Sequence, residues 1–204
     1  MKTFAPDYKR DAQNRVLFPS DRNLRALLFP YTDPTEHVAK ANMLMVKELV
    51  ELVSAPGDTI LDPFAGTGTI LVALITWRKV IMIEVEEVFQ KIIEQNIRGL
   101  RSTFPDADEF ATLIPGDCSR TLPIPEFCDH MIFSPPYSSI LKKGESVKYD
   151  RTSVALGYSS AALYTAHPDN VGKLNDFLYF QKMERIYKKC YDSLRPGGTM
   201  TVII

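Results

Sequence analysis

A turn with two glycines follows a short apolar segment in the first third of the chain. Residues 59–61 are expected to form a buried strand, and residues 62–69 then read Asp-Pro-Phe-Ala-Gly-Thr-Gly-Thr. Gly66 and Gly68 permit backbone angles and a close ligand approach that a side chain would prevent. Since open α/β sheets bind ligands beyond the carboxyl ends of their strands, this turn is a candidate ligand site.

The chemistry of the turn favours S-adenosylmethionine over a phosphate-containing ligand. The turn lacks the third glycine of the dinucleotide fingerprint and the Gly-Lys-Ser/Thr of a phosphate-binding loop. Asp62 at the end of the strand would repel a phosphate and attract a cationic amine. S-adenosylmethionine carries an amino group and a sulfonium and has no phosphate. On this turn alone, a simple strand-to-helix connection remains the alternative.

Two further acidic residues follow the next two predicted strands. Glu84 ends the strand predicted at 79–84, where its carboxylate could accept hydrogen bonds from both ribose hydroxyls. Asp117 follows the strand predicted at 110–114 and could accept from an adenine amino group. Each acid alone could be a solvated residue at a strand end. Three of them after three successive strands favour a nucleoside ligand.

A second turn, Ser134-Pro135-Pro136-Tyr137, closes the strand predicted at 128–133. The prolines fix the backbone and remove two N–H donors, which leaves carbonyl oxygens as acceptors beside the serine hydroxyl. An amino group on a planar base is a poor nucleophile, because its lone pair is delocalised into the ring. Acceptors for its N–H bonds would activate it, while the tyrosine ring would stack on a flipped base. Methyl transfer would then depend mainly on positioning; an ordinary proline turn is the alternative.

Helical and strand patterns alternate along the chain. Helices are predicted at 37–53, 70–77, 88–100 and 175–194, and strands at 59–61, 79–84, 110–114, 128–133 and 199–204. This alternation predicts an α/β fold with a doubly wound, mostly parallel sheet. Because the last strand runs into the chain end, we expect the sheet to be truncated at its C-terminal end.

Three segments are expected from these patterns. Residues 1–36 are predicted to be an irregular N-terminal arm, because they lack clear periodicity. Residues 37–204 are predicted to form one domain, with a long polar loop at 138–172.

The composition is typical of a globular protein without a membrane or metal function. The formal net charge is −1, which weighs against a free-standing nucleic-acid binder, although a local basic strip can suffice. The three cysteines and three histidines show no metal-ligand spacing, so neither a metal site nor a disulfide framework is expected. Without a signal peptide or a long apolar run, a cytoplasmic protein is expected.

Taken together, the glycine turn, Glu84, Gly116-Asp117 and the Ser-Pro-Pro-Tyr turn resemble the amino-methyltransferase family of DNA methylases. Those enzymes act on the 4-amino group of cytosine or the 6-amino group of adenine. The resemblance runs from about His37 to the chain end and implies a Rossmann-like class I methyltransferase fold that uses S-adenosylmethionine. The implied cofactor-binding residues are Asp62, Pro63, Phe64, Ala65, Gly66, Gly68, Thr69, Glu84, Asp117 and Cys118. The implied base-binding, catalytic residues are Ser134, Pro135, Pro136 and Tyr137.

The resemblance also implies a substrate and its partners. It implies a DNA methyltransferase of the restriction-modification type, with the target base flipped into the site; the serine variant of the tetrapeptide favours cytosine over adenine. The family's sheet normally has a further strand pair and a target-recognition domain, so a further domain or subunit is expected. Within this chain, the 138–172 loop is the candidate for DNA contacts because it is basic and aromatic. A surface loop without that function is the alternative.

Two other functions remain open from the sequence. One is an RNA base amino-methyltransferase, although such enzymes usually carry aspartate or asparagine at the position of Ser134. The other is a non-catalytic, cofactor-binding subunit of a larger complex. A carbon-5 cytosine methyltransferase is disfavoured, because it needs a cysteine nucleophile, usually beside proline, and the sequence has no Pro-Cys pair.

Overall fold

A computed structural model describes residues 3–31, 41–136 and 167–204. These residues contain a five-stranded sheet in the order β3-β2-β1-β4-β5, and every neighbouring pair is parallel. The strands are β1 (Thr59–Asp62), β2 (Lys79–Glu84), β3 (Ala111–Pro115), β4 (Cys128–Phe133) and β5 (Leu194–Val202).

Helices connect the strands and cover both faces of the sheet. They are α1 (Arg22–Leu28), α2 (Met43–Val53), α3 (Glu87–Leu100), α4 (Ala107–Phe110), α5 (Cys118–Thr121) and α6 (Asp176–Ser193), with 3-10 helices at Thr69–Thr76 and Val171–Lys173. The predicted doubly wound, parallel α/β fold is confirmed.

The two faces of the sheet are buried in separate apolar clusters. Ile60 of β1 faces a cluster formed with α2, the first 3-10 helix and α3, whereas the next residue, Leu61, faces a cluster formed with α6. Successive side chains of a strand point to opposite faces, so a strand covered on both sides is apolar throughout. This explains why the central strands read as continuous apolar runs.

The helix predicted at 37–53 begins later than expected. Ala41 and Asn42 precede the helix, and α2 starts at Met43; residues 37–40 lie outside the described residues. The Asn42 side chain accepts hydrogen bonds from the backbone N–H groups of Leu44 and Met45. Asparagine is a strong N-cap residue, so the predicted start at His37 is wrong for a reason visible in the sequence.

The last strand begins earlier than predicted. β5 starts at Leu194 instead of Thr199, because residues 195–198 form a bulge between the pairs Cys128–Leu194 and His130–Thr199. A Cβ atom at Gly198 would lie 2.5 Å from the carbonyl oxygen of Asp129, so the bulge requires a glycine there. The sequence pattern presented this segment only as the end of a helix.

The N-terminal segment differs from the predicted irregular arm in containing α1. Leu28 and Phe29, at the end of this helix, are buried in the cluster with α2 and α3. Of the loop predicted at 138–172, residues 138–166 lie outside the described residues, and the remainder leads into the second 3-10 helix.

Among the described helices, none combines the length and apolarity needed to cross a bilayer. In the same part of the chain, no group of three or more His, Cys, Asp or Glu side chains is placed to hold a metal ion. Cys118, Cys128 and Cys190 are buried free thiols.

Candidate active site

The candidate site lies where the strand order reverses. β1 is central, with β2 on one side and β4 on the other, so the chain leaves the end of β1 for one half of the sheet and later returns to the other half. Ligands of open α/β sheets bind in the crevice beyond the strand ends at such a point. A cavity there is lined by most of the predicted site residues: Asp62, Pro63, Phe64, Ala65, Gly66, Thr69, Glu84, Asp117, Cys118, Ser134, Pro135 and Pro136.

Two predicted site residues are not among those that line the cavity. Tyr137 lies outside the described residues. Gly68 has a positive φ of 82°, and a Cβ atom there would lie 3.1 Å from the Ile93 side chain and 3.2 Å from the Leu71 side chain. Gly68 therefore shapes the turn and lets it pack closely against α3, while Gly66, also at positive φ, lines the cavity.

Asp62 presents a buried acceptor without a partner. Only 8% of the residue is exposed, and its Oδ1 accepts a hydrogen bond from the backbone N–H of Phe64 at 2.9 Å. No described residue donates to Oδ2. Burial raises the pKa of Asp62 to about 7. A buried carboxyl with a free oxygen in a cavity fits a cationic donor such as the amino group of S-adenosylmethionine.

Glu84 supports the glycine turn with the same side chain that faces the cavity. Its Oε2 accepts from the backbone N–H of Gly66 at 2.6 Å, and its Oε1 accepts from the backbone N–H of Glu86 at 2.8 Å. Burial, reinforced by the neighbouring carboxyl groups of Glu86 and Asp62, raises the pKa of Glu84 to about 8. Each oxygen keeps a second lone pair that could accept a ribose hydroxyl.

Asp117 differs from these two acids because donors surround it. Burial alone would raise its pKa, but hydrogen bonds from Ser119 and Lys182 bring the pKa below its ordinary value. The backbone N–H of Ser119 donates to Oδ1 at 2.8 Å, and the Ser119 hydroxyl and the Lys182 ammonium donate to Oδ2 at 2.7 and 2.9 Å. Asp117 thus caps α5 and stays ionised beside the cavity.

A further wall of the cavity was not predicted from the sequence. Glu86, Asp169, Asn170 and Val171 also line the cavity. The Glu86 carboxylate accepts from the backbone N–H of His167 at 3.0 Å and from the Asn170 side-chain amide at 2.8 Å. These partners are more than 80 residues apart in the chain, and no local pattern signals such a contact.

The turn after β4 brings acceptors to the opposite side of the cavity. No described residue forms a hydrogen bond with the Ser134 hydroxyl or donates to the carbonyl oxygen of Pro135. By contrast, the hydroxyl of Tyr179 on α6 donates to the carbonyl oxygen of Pro136 at 2.6 Å. From the sequence, all the carbonyl oxygens of this turn were expected to be available as acceptors. In the folded structure, the Pro136 carbonyl oxygen is already hydrogen-bonded to Tyr179.

The N-terminal segment also reaches the glycine turn, through Arg25 on α1. Its guanidinium donates to the Thr69 hydroxyl at 3.0 Å and to the carbonyl oxygen of Ala41 at 2.9 Å, and it pairs with Asp21 at 2.7 Å. The Asp21 carboxylate also accepts from the first backbone N–H of α2, on Met43. Only 8% of Arg25 is exposed, so this contact fixes the segment against the site.

Comparison with known proteins agrees with this geometry. Residues 6–95 match the sequence profile of a family described as DNA methylase, and this range includes the glycine turn and Glu84. The resemblance to the amino-methyltransferase family is confirmed. S-adenosylmethionine is the cofactor of this family. Oδ2 of Asp62, to which no described residue donates, fits the cationic amino group of this cofactor.

Three solved structures are similar to the chain. The glycopeptide N-methyltransferase MtfA superposes with a TM-score of 0.50 at 14% identity, covering 81% of this chain and 54% of that one. TrmN from Thermus thermophilus gives a TM-score of 0.41 at 24% identity, covering 51% of this chain and 31% of that one. The protein PH0793 from Pyrococcus horikoshii gives a TM-score of 0.42 at 18% identity, covering 54% of this chain and 41% of that one.

The MtfA superposition confirms the Rossmann-like methyltransferase fold. The chain spans 31% to 54% of the length of these three structures. No curated protein sequence matches it.

Proposed function

We propose that this chain is the catalytic part of a DNA methyltransferase that transfers a methyl group from S-adenosylmethionine to the exocyclic 4-amino group of cytosine, with the 6-amino group of adenine as second choice. One observation carries the proposal. The glycine turn after β1 and the Ser-Pro-Pro turn after β4 line the same cavity at the switch point of the sheet. A methyl donor and an amino acceptor held by these two turns would meet.

On the cofactor side, each of three acids is assigned to a different part of S-adenosylmethionine. The unpartnered oxygen of Asp62 would bind the cationic amino group, and Glu84 would accept the ribose hydroxyls. Asp117 would accept from the adenine amino group, with Cys118 beside it. Each assignment is supported by the position of the side chain on the cavity wall and by its burial.

On the base side, the Ser134 hydroxyl and the Pro135 carbonyl oxygen would accept hydrogen bonds from the target amino group. Both acceptors are unused by the described residues, whereas the Pro136 carbonyl oxygen is already bonded to Tyr179. Two fixed acceptors hold the amino nitrogen with its lone pair directed towards the cofactor. Tyr137, next in sequence, would supply the stacking face.

When bound, S-adenosylmethionine would supply a methyl group on a sulfonium: the N–C bond would form as the S–C bond breaks, S-adenosylhomocysteine would leave, and the amino group would release one proton to solvent. The residues of the chain bind and orient the reactants, and none of them forms a covalent bond. The cysteines support this direct route. Burial raises the pKa of the Cys118 thiol in the cavity wall well above its ordinary value, so Cys118 is not a thiolate nucleophile.

We further propose DNA as the partner, with the target base flipped out of the helix. The sequence of residues 138–166, with its lysines and tyrosines, supports phosphate contact and base stacking. A further domain or subunit would complete target recognition. A cytoplasmic location belongs to the same proposal.

Methyl transfer from tritium-labelled S-adenosylmethionine to duplex DNA, followed by digestion to nucleosides, tests this function. The expected product is N4-methylcytosine. Ser134→Ala should lower the transfer rate about tenfold or more, because one acceptor for the amino group is lost, while affinity for S-adenosylhomocysteine stays within about twofold. Ser102→Ala, on the exposed surface near the end of α3, is the matched control and should leave the rate unchanged.

Other products would redirect the proposal. N6-methyladenine in DNA would change the target base, and transfer to tRNA but not DNA would select the RNA enzyme. Cofactor binding without transfer to either nucleic acid would select the non-catalytic subunit.

A further inference from the structure

Lys182 on α6 connects two stretches of chain that form the cavity wall. Its ammonium group donates to Oδ2 of Asp117 at 2.9 Å and to the backbone carbonyl oxygen of Asp169 at 3.3 Å. The Lys182 side chain is 26% exposed and that of Asp117 only 6%. The contact is therefore a partly buried ion pair placed directly behind a cavity residue.

Lys182 is the cation that the structure pairs with this carboxylate. Nearby cations have other partners: Arg120 pairs with the Asp169 side chain at 3.0 Å, and Lys189 donates to the carbonyl oxygens of Ser119 and Leu122. Other acids also line this wall: Glu84 lies on the neighbouring strand, and the Asp169 side chain is paired with Arg120. Removing the Lys182 charge would thus leave Asp117 with donors from Ser119 only.

The donors around Asp117 fix its hydrogen-bonding character. Ser119 donates two hydrogen bonds to Asp117 and Lys182 donates one, so the Asp117 side chain is held as a carboxylate. A carboxylate can only accept hydrogen bonds. Oδ1 accepts one bond, from the backbone of Ser119, and retains a lone pair for a ligand.

An acceptor at this position discriminates between purines. Adenine has an amino group at carbon 6, which donates, whereas hypoxanthine and guanine have a carbonyl oxygen there, which accepts. A carbonyl oxygen facing a carboxylate would leave two buried acceptors unpaired. A site strongly rejects a ligand that would leave buried polar groups without hydrogen-bond partners.

We propose that Lys182 is a positioning residue that makes this pocket select an adenine-bearing ligand over a 6-oxopurine ligand, by holding Asp117 as an acceptor. The inference rests on the proposed placement of the cofactor adenine beside Asp117. It concerns ligand binding and does not depend on the nature of the methyl acceptor. Without Lys182, a protonated Asp117 could donate to a carbonyl oxygen, and selectivity would relax.

Calorimetric binding of S-adenosylhomocysteine and S-inosylhomocysteine to the full chain tests the inference. The wild-type protein should bind the adenosyl compound about a hundredfold more tightly. Lys182→Met should reduce this ratio about tenfold, and its affinity for the adenosyl compound should rise with pH as Asp117 ionises. Lys188→Met is the matched control: Lys188 lies on the same helix, is 75% exposed and pairs with Asp192.

A second variant separates selectivity from stability. Lys182→Gln keeps a donor without the charge and should show an intermediate ratio. An unchanged ratio in a folded Lys182→Met protein would overturn the inference, as would equal binding of both compounds by the wild type. The same holds if both Lys182 variants fail to fold while Lys188→Met folds.

The proposed function can fail independently. Absence of methyl transfer to DNA with the expected binding ratios would overturn only the DNA methyltransferase assignment. Absence of S-adenosylhomocysteine binding to the wild type would overturn both.

Discussion

The acids that end β1 and β2, Asp62 and Glu84, contrast with Asp117, the acid that follows β3. Among the described residues, no cation pairs with Asp62 or Glu84, and burial raises their pKa values to about 7 and about 8. Asp117 lies at the same edge of the same sheet, but hydrogen bonds from Ser119 and Lys182 outweigh the effect of burial and lower its pKa. One edge of the sheet thus holds two acids that can be neutral near pH 7 and one that is ionised.

The contrast shows that burial and the neighbouring groups of each acid, and not its place at a strand end, decide whether it is ionised. Asp62 and Glu84 become favourable as carboxylates only when a cationic or hydroxyl-bearing ligand arrives. Asp117 is a carboxylate before the ligand binds, because the Lys182 ammonium already compensates its charge. We therefore expect the first two acids to respond to the ligand and the third to select it.

The largest effect expected from this contrast is on the pH dependence of stability. For Asp62 and Glu84, the folded pKa values are raised above the ordinary values of 3.8 and 4.5. Their contribution to stability is therefore fully present below about pH 4 and is lost as the pH rises through about 8. Without ligand, the free energy of unfolding should fall over this range by about 9 kcal/mol at most, as urea denaturation would show.

The Asp62→Asn, Glu84→Gln double variant should flatten this profile, because neither side chain can ionise. Asp108→Asn is the control: Asp108 is exposed and pairs with Arg101, so the decline with pH should persist. A wild-type profile without any decline would show that the two acids are already compensated, and the contrast would disappear.

A smaller effect is expected when single acids are neutralised. At pH 6, Asp117→Asn should lower the free energy of unfolding by about 1–3 kcal/mol, because the charged bond to Lys182 is lost and the cap of α5 is weakened. Asp62→Asn should cost less than about 1 kcal/mol at this pH, because the carboxyl group is already largely neutral. Equal losses in the two variants, measured by urea denaturation, would contradict the contrast.

The smallest effect concerns the second contact of α6. Tyr179→Phe removes the hydroxyl that donates to the Pro136 carbonyl oxygen and should cost about 1 kcal/mol of stability. If the turn is positioned by this bond, kcat for methyl transfer should fall about fivefold.

The preference for adenosyl over inosyl ligands should stay unchanged in Tyr179→Phe, because that variant leaves Lys182 in place. Tyr191→Phe, at a 71% exposed position of the same helix, serves as the control for both measurements. A change of ligand preference in Tyr179→Phe would mean that α6 acts through its general placement and not through the Lys182 charge.

Much of the fold could be predicted because its signals are local. The apolar runs at β1, β2 and β4 and the turn residues after them predicted a parallel sheet, and the strand pairing confirms it. The predicted starts of α2 and β5 were wrong, because one or a few residues decide each of them. Asn42 caps α2 and so moves its start, and the bulge at 195–198 extends β5 into a segment that looked like a turn.

The candidate site was predictable for a similar reason. Asp62, Glu84 and Ser134 each follow a recognisable strand, and parallel strands bring their carboxyl ends to one edge, so spacing alone places them together. Glu86 and Asn170 were not predictable, because their contact joins positions 84 residues apart. The engagement of Pro136 by Tyr179 escaped prediction for the same reason.

The amino-acid sequence is enough to say which residue types stand at the ends of the strands, and hence which kind of ligand this edge can bind. The protonation of those residues depends on the folded structure. The pKa of a carboxyl group depends on its burial and on the charges within a few ångströms, and those neighbours come from distant parts of the chain. Asp62 and Asp117 are the same amino acid after similar strands, and the packing of α6 places Lys182 beside only one of them.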